Sequence, residues 1–158
     1  MNIGVISDTH GLLRPEALAA LHGSDRILHA GDIGGPEILE ALERIAPVTA
    51  VRGNNDHGEW AEGIAEREQV ECAGVRILML HDLKELDATP DCEVVIAGHS
   101  HKPMIEKRNG TLFLNPGSAG PRRFSLPVSV ARLAVKDGRP DARIVELDVA
   151  PPKRRGKG

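Results

Sequence analysis

Short apolar runs alternate with polar, glycine-punctuated stretches through the first third of the chain. Ile3-Gly4-Val5-Ile6 reads as a buried strand that breaks at Ser7-Asp8. Pro15 suits the first position of a helix carrying Leu18 and Leu21 and closing near Gly23. Residues 26–29 read as a second strand. Gly34-Gly35-Pro36 then opens a second helix, in which Ile38, Leu39, Leu42 and Ile45 recur at helical spacing. Pro47 ends that helix, and residues 48–51 form a third strand. Two successive strand–helix–strand steps predict parallel strands joined by right-handed crossovers.

The pattern changes after about residue 67. Residues 68–72 and 75–80 flank Ala73-Gly74, and residues 104–107 and 111–114 flank Asn109-Gly110. Residues 128–135 and 142–147 flank Asp137-Gly138. Each pair reads as a hairpin, and residues 94–96 add another buried strand. An α/β fold follows, with two packed sheets covered by helices on their outer faces. Residues 1–150 are expected to form one domain. The remaining 151–158, with four cations between prolines and glycines, are expected to be a disordered basic tail.

Aromatic residues make up only 2% of the 158-residue chain, so the core must be built from Val, Ile, Leu and Ala. The same scarcity leaves few rings for base stacking, and a net charge of −3 offers a polyanion no global attraction. A nucleic-acid partner is therefore disfavoured. Cys72 and Cys92 stand alone, without the spacing of a disulfide framework or a thiolate metal site. No leader is expected at the N-terminus, and no apolar run reaches the roughly 18 residues of a membrane span. These features predict a cytoplasmic protein that is not membrane-bound. A symmetric homo-oligomer is the default for such a chain.

The polar breaks carry the chemistry. Asp8-Thr9-His10, Gly31-Asp32, Gly53-Asn54-Asn55-Asp56, His81 and Gly98-His99-Ser100-His101 each follow a run that reads as a strand. Parallel strands bring their C-terminal ends to one rim, so these clusters can converge from distant parts of the chain. Singly, each is weak: an Asp after a strand is commonly a turn or cap residue, and Gly-Asn-Asn-Asp makes an ordinary polar turn. Together they assemble carboxylates, imidazoles and an amide oxygen suited to a pair of divalent ions, and paired ions imply phosphoester chemistry. In an extended backbone, Asp8 and His10 would point the same way, as would His99 and His101.

The order D-x-H, G-D, G-N-x-D, H, G-H-x-H resembles the calcineurin-like metallophosphoesterase signature. Asn115-Pro116-Gly117-Ser118, Pro121-Arg122 and the short length look like its small YfcE-type phosphodiesterase branch. The resemblance spans roughly residues 1–148. It implies a four-layer α/β/β/α sandwich of two mixed sheets with a binuclear centre at one edge. It assigns the first metal to Asp8, His10 and His101, the second to Asn54, His81 and His99, and the bridging position to Asp32. Asp32, Asn54, His81 and His99 are the residues expected to act in catalysis, the last three by shaping the phosphate site. The expected activity is hydrolysis of a small phosphoester, most readily a diester, by a metal-bridging hydroxide. Mn²⁺ is the first expectation for the metals; Fe, Zn and Ni also suit mixed N/O ligation. A scaffold on the same fold, as in the family's retromer subunit, and a nuclease are the competing expectations.

Two positions depart from the family pattern. Asn55 stands where many larger relatives have a His that protonates the leaving group, and Asn cannot do so at neutral pH. Asp82 follows His81 where family members often carry Gly. Elsewhere, His29 reads as a packed or supporting group, His22 as solvated, and Asp56 as a loop tie. Arg52, Arg122 and Arg123 are candidates for phosphate contact or surface cations, and His57 is a distant candidate acid.

Overall fold

All three turn dipeptides adopt positive φ at both positions: 50° and 84° at Ala73-Gly74, 49° and 82° at Asn109-Gly110, and 53° and 72° at Asp137-Gly138. Such turns match the right-handed twist of the strands they join, which is why each makes a tight hairpin. The computed structural model describes residues 1–86, 90–123 and 125–149; the basic tail lies outside these. Its strands are β1 (Asn2–Ile6), β2 (Arg26–His29), β3 (Val48–Ala50), β4 (Arg67–Cys72) and β5 (Val75–Leu80). They continue with β6 (Val94–Ile96), β7 (Met104–Arg108), β8 (Thr111–Asn115), β9 (Ser129–Lys136) and β10 (Arg139–Glu146). Helices α1 (Pro15–Leu21) and α2 (Pro36–Glu43) fill the crossovers.

Two five-stranded mixed sheets result, ordered β10-β9-β1-β2-β3 and β4-β5-β6-β8-β7. β1, β2 and β3 are parallel, as the crossovers predict, and the three hairpins are antiparallel. Residue parity sorts the side chains. Val75, Ile77 and Met79 of β5 face Ile3, Val5, Leu28 and Leu133 between the sheets. Ile6 and Ile27 face α1 and α2 through Leu21, Ile38 and Leu42. Burying each such side chain contributes about 1.5–3 kcal/mol, so the slippage of a strand by one residue would be heavily penalised.

The sandwich follows the expected layer order, with one refinement. Leu80, Val95 and Phe113 on the outer face of the second sheet pack against Leu83 and Leu86, which flank and form a 3₁₀ turn, Leu83–Glu85. That turn stands where a fourth helical layer is expected. A one-turn helix α3 (Glu59–Glu62) is additional, too short to leave a periodic signal. β10 starts at Arg139 and runs through Pro140, which an edge strand tolerates because its free side needs no N–H donor. No helix among the described residues is long and apolar enough to cross a membrane.

Candidate metal centre

The ends of β1, β2, β3, β5 and β6 deliver Asp8, Asp32, Asn54, His81 and His99 to one rim. Backbone bonds stitch the segments together there. Asp8, His10 and Gly11 donate N–H groups to Gly31, Asp32 and Ile33, and Gly98 donates to His81. Two groups of ligand atoms come within metal-binding reach of one another: Asp8, His10 and His101 in one, Asp32, His81 and His99 in the other. The carboxylates join the groups. Asp32 Oδ2 is 3.1 Å from His81 Nε2 and 3.6 Å from His10 Nε2, so it lies between them. Asp8 Oδ1 is 3.4 Å from His101 Nε2, 3.7 Å from His10 Nε2 and 3.8 Å from His81 Nε2. Asn54, the seventh predicted residue, is exposed on the turn before Asp56.

The side chains converge by a different route from the extended backbone expected of them. Asp8, His10, Asp32, His99 and His101 all sit at positive φ, between 46° and 71°. The only other non-glycine residues with positive φ among those described are Ala73, Asn109 and Asp137, in the hairpin turns. Non-glycine residues in this region are strained by about 1 kcal/mol or more, and their concentration at one rim marks a functional constraint.

A surrounding set of polar groups fixes these rotamers. Asp8 Oδ2 accepts from Ser7 Oγ at 2.8 Å and from the His99 N–H at 3.1 Å, which leaves Oδ1 free. His81 Nδ1 donates to the Ala30 carbonyl at 2.7 Å, so whenever the ring is neutral it presents Nε2 bare. Asn55 holds Asp32 twice, donating its backbone N–H to Oδ1 at 2.9 Å and its side-chain amide to Oδ2 at 3.0 Å. Asp56 ties two turns together as expected, its carboxylate accepting from the N–H groups of Ile33, Gly34 and Gly53. Gly53 must lack a side chain, because a Cβ there would overlap Asp32. His29 is a buried support: Nδ1 accepts from the Gly31 N–H, so Nε2 donates to Thr9 Oγ1, which donates to the Ile33 carbonyl. Burial pushes its pKa down to about 4, keeping the ring neutral. Sequence reasoning missed Ser7, Thr9 and Ser118, which donates to the Asp8 carbonyl; single hydroxyls beside a ligand carry no pattern of their own.

The remaining candidates fall outside this cluster. Arg52 is paired with Glu66 at 2.9 Å, and Arg122 donates to the Val149 carbonyl from an exposed position. His22 and His57 are exposed. Asp82 caps the 3₁₀ turn by accepting from the Lys84 N–H, and its other oxygen is 3.7 Å from His99 Nε2. Asn115 donates to Gly98 and Ser100, so the Asn-Pro-Gly-Ser turn does border the site.

Four buried atoms here lack hydrogen-bond partners: Asp8 Oδ1, His10 Nε2, His81 Nε2 and His101 Nδ1. Buried polar atoms are rarely left unpaired, and metal ligation is the usual reason when carboxylates and imidazoles face one another. The donor set, all oxygen and nitrogen, fits divalent transition ions.

Electrostatics make the metal-free site pH-sensitive. Burial works against a charged His81, but the Asp32 and Asp8 carboxylates and the Ala30 carbonyl outweigh it and raise its pKa to about 9. Burial likewise opposes a charged Asp32, yet His81 and Asn55 lower its pKa to about 2. Asp8 is held well below the ordinary range by His10, His101 and His81 despite its burial. The Asp8 carboxylate raises His10 against burial and against the charge of Arg123. His81 therefore stabilises the metal-free fold fully below its ordinary value of 6.5, and that contribution vanishes as pH rises through about 9. Asp32 contributes above its ordinary 3.8 and loses its contribution as pH falls through about 2. Chelator-treated protein is expected to have its highest Tm between about pH 4 and 6.5, with a decline toward pH 9. Calorimetric scans across that range check this; a Tm that rises from pH 6.5 to 9 contradicts it.

Comparisons with known proteins identify the family and the fold. Residues 1–138 match the family model described as the calcineurin-like phosphoesterase superfamily domain. The chain is 37% identical to a probable metallophosphoesterase of Methanothermobacter thermautotrophicus, over 92% of each chain. Among solved structures, it is similar to an archaeal phosphodiesterase, with a TM-score of 0.78 and 24% identity over 93% of this chain and all of that one. It is also similar to zinc-complexed Vps29 of Entamoeba histolytica, with a TM-score of 0.73 and 23% identity, covering 92% and 99% of the two chains. Identities this low show a shared fold only.

Proposed function

This chain belongs to the calcineurin-like phosphoesterase superfamily, and on that premise we propose that it is a two-metal phosphodiesterase acting on a small phosphoester in the cytoplasm. The observation that carries the reading is the convergence of Asp8 Oδ1, His10 Nε2 and His81 Nε2, buried and without hydrogen-bond partners among the described residues, with His101 Nε2 3.4 Å from Asp8 and Asp32 Oδ2 between His10 and His81. Asp8, His10 and His101 would hold one ion, Asn54, His81 and His99 the other, and Asp32 would bridge. When bound, two such ions, Mn²⁺ in the first instance, supply Lewis-acid stabilisation of phosphoryl oxygens and a water acidified to near neutral pKa.

The residues prepare the rest. Asp8 and Asp32 contribute only two negative charges, so a loaded site stays positive and complements a phosphodiester monoanion. Asn55 orients Asp32 through two hydrogen bonds. Its amide protons are not acidic enough to transfer to a departing alkoxide, so the enzyme is expected to depend on good leaving groups. Asn55→His should raise turnover of an alkyl diester about 10- to 100-fold relative to a p-nitrophenyl diester. Matched rate ratios in the two proteins would contradict that role.

The test of the activity is reconstitution. Chelator-stripped protein loaded with Mn²⁺ should bind two ions per chain by elemental analysis and hydrolyse bis-p-nitrophenyl phosphate. Stoichiometric metal without turnover of diesters or monoesters would favour a scaffold, the reading that the Vps29 likeness keeps in play. The two free, buried cysteines support the cytoplasmic placement.

A further inference from the structure

A cleft of about 510 Å³ opens from the second ligand group and shares His99 with it. This lies within the range of small-molecule sites and is far larger than a phosphoryl group needs. A phosphodiester held at His99 therefore has room to extend one arm into it. Three cations from separate segments line the cleft. Lys84 comes from the 3₁₀ turn after β5, Lys102 follows His101, and Arg123 lies beyond the Asn-Pro-Gly-Ser turn.

Their convergence runs against the chain's own balance, since the protein carries a net charge of −3. Among the described residues Asp82 is the one carboxylate in the lining, and it is engaged by the Lys84 N–H and faces His99. None of the three cations forms an ion pair among the described residues, a trait they share with most of the chain's described cations; what sets them apart is that all three line one cleft. Leu83 and Met104 add apolar surface to the lining. A metal pair held by the two ligand groups would already match the scissile phosphate, so three further cations exceed its demand. An organic spacer ending in another anion would satisfy both the apolar surface and the charges.

We infer that the cleft receives a substrate arm bearing a second anionic group, so that the preferred substrate is a phosphodiester with a further phosphate or carboxylate on one side. This rests on the phosphodiesterase reading above and names its substrate class. The test uses two thymidine 5′-(p-nitrophenyl phosphate) diesters, one carrying a 3′-phosphate and the other a free 3′-hydroxyl. Full-length, Mn²⁺-loaded protein should favour the phosphorylated diester by about 10-fold or more in kcat/KM, chiefly through KM. The preference should shrink as salt rises. Lys84→Gln, Lys102→Gln and Arg123→Gln should each reduce it about threefold, and the triple variant should nearly abolish it. All three side chains are exposed, so the variants should fold, which circular dichroism verifies.

A parallel binding measurement is independent of turnover. Calorimetric titration should show thymidine 3′,5′-bisphosphate binding at least about tenfold tighter than thymidine 5′-monophosphate, with the difference lost in the triple variant. Equal kcat/KM for the two diesters, equal affinities for the two nucleotides, or a preference that survives the triple substitution would each overturn the inference. Failure to cleave either diester would instead count against the phosphodiesterase reading, and the titration would still decide the cleft's charge preference.

Discussion

Asp32→Asn is expected to lower kcat/KM for a p-nitrophenyl diester by more than about 100-fold, because outer supports of metal ligands already cost about 10- to 100-fold when removed. The substitution is nearly isosteric. It keeps an oxygen to accept from the Asn55 N–H and sits in the same turn, so the fold should persist. What it removes is the negative charge that lies 3.1 Å from His81 and 3.6 Å from His10, one residue from each ligand group. Metal content should fall together with turnover, since both ions would lose a shared anion. Elemental analysis alongside kinetics checks the pairing of the two effects. A variant with full metal content and undiminished turnover would remove Asp32 from the bridging position.

The second large effect is on stability. Asp56→Ala should destabilise the protein by about 3–5 kcal/mol, because the buried N–H groups of Ile33 and Gly53 and the part-buried N–H of Gly34 lose their acceptor among the described residues, and each buried unsatisfied donor costs about 1–3 kcal/mol. Against a typical total of about 5–15 kcal/mol, that is a major loss. Asp56→Asn retains one acceptor oxygen and should fall between the two. Urea denaturation of the three proteins measures it. A loss under about 1 kcal/mol for the alanine variant would show that water or a relaxed loop takes over the three donors.

Much of the architecture was legible because it is written in local periodicities. Buried strands show as Val-, Ile- and Leu-rich runs, and Asn109-Gly110 and Asp137-Gly138 announce their turns through a backbone conformation that few other pairs adopt easily. The two-sheet sandwich followed from those elements. Boundaries are harder: the sequence pattern places the last strand at 142–147, whereas β10 starts at Arg139 and runs through Pro140, which its edge position makes acceptable. Short elements such as Glu59–Glu62 and Leu83–Glu85 hold too few residues for any period to show.

The candidate site was legible as a set of residues and opaque as a geometry. Strand ends bring Asp8, Asp32, His81, His99 and their partners together as their positions implied. The extended D-x-H arrangement did not hold, since backbone φ at a polar residue after a strand leaves no trace in composition. Long-range supports were invisible for a different reason. Asp56 reaches back across 23 residues to Ile33, and Lys84, Lys102 and Arg123 meet only because separate loops fold onto one cleft. Nothing in the neighbourhood of any one of them records that meeting.

The left-handed backbone at Asp8, His10, Asp32, His99 and His101 has an evolutionary implication. Glycine or asparagine would occupy those positions more comfortably than histidine does, so replacing these side chains relieves tension in the chain. A descendant freed from catalysis could therefore drift toward a sturdier molecule with the same shape. Retaining all five demands continued selection for what they do.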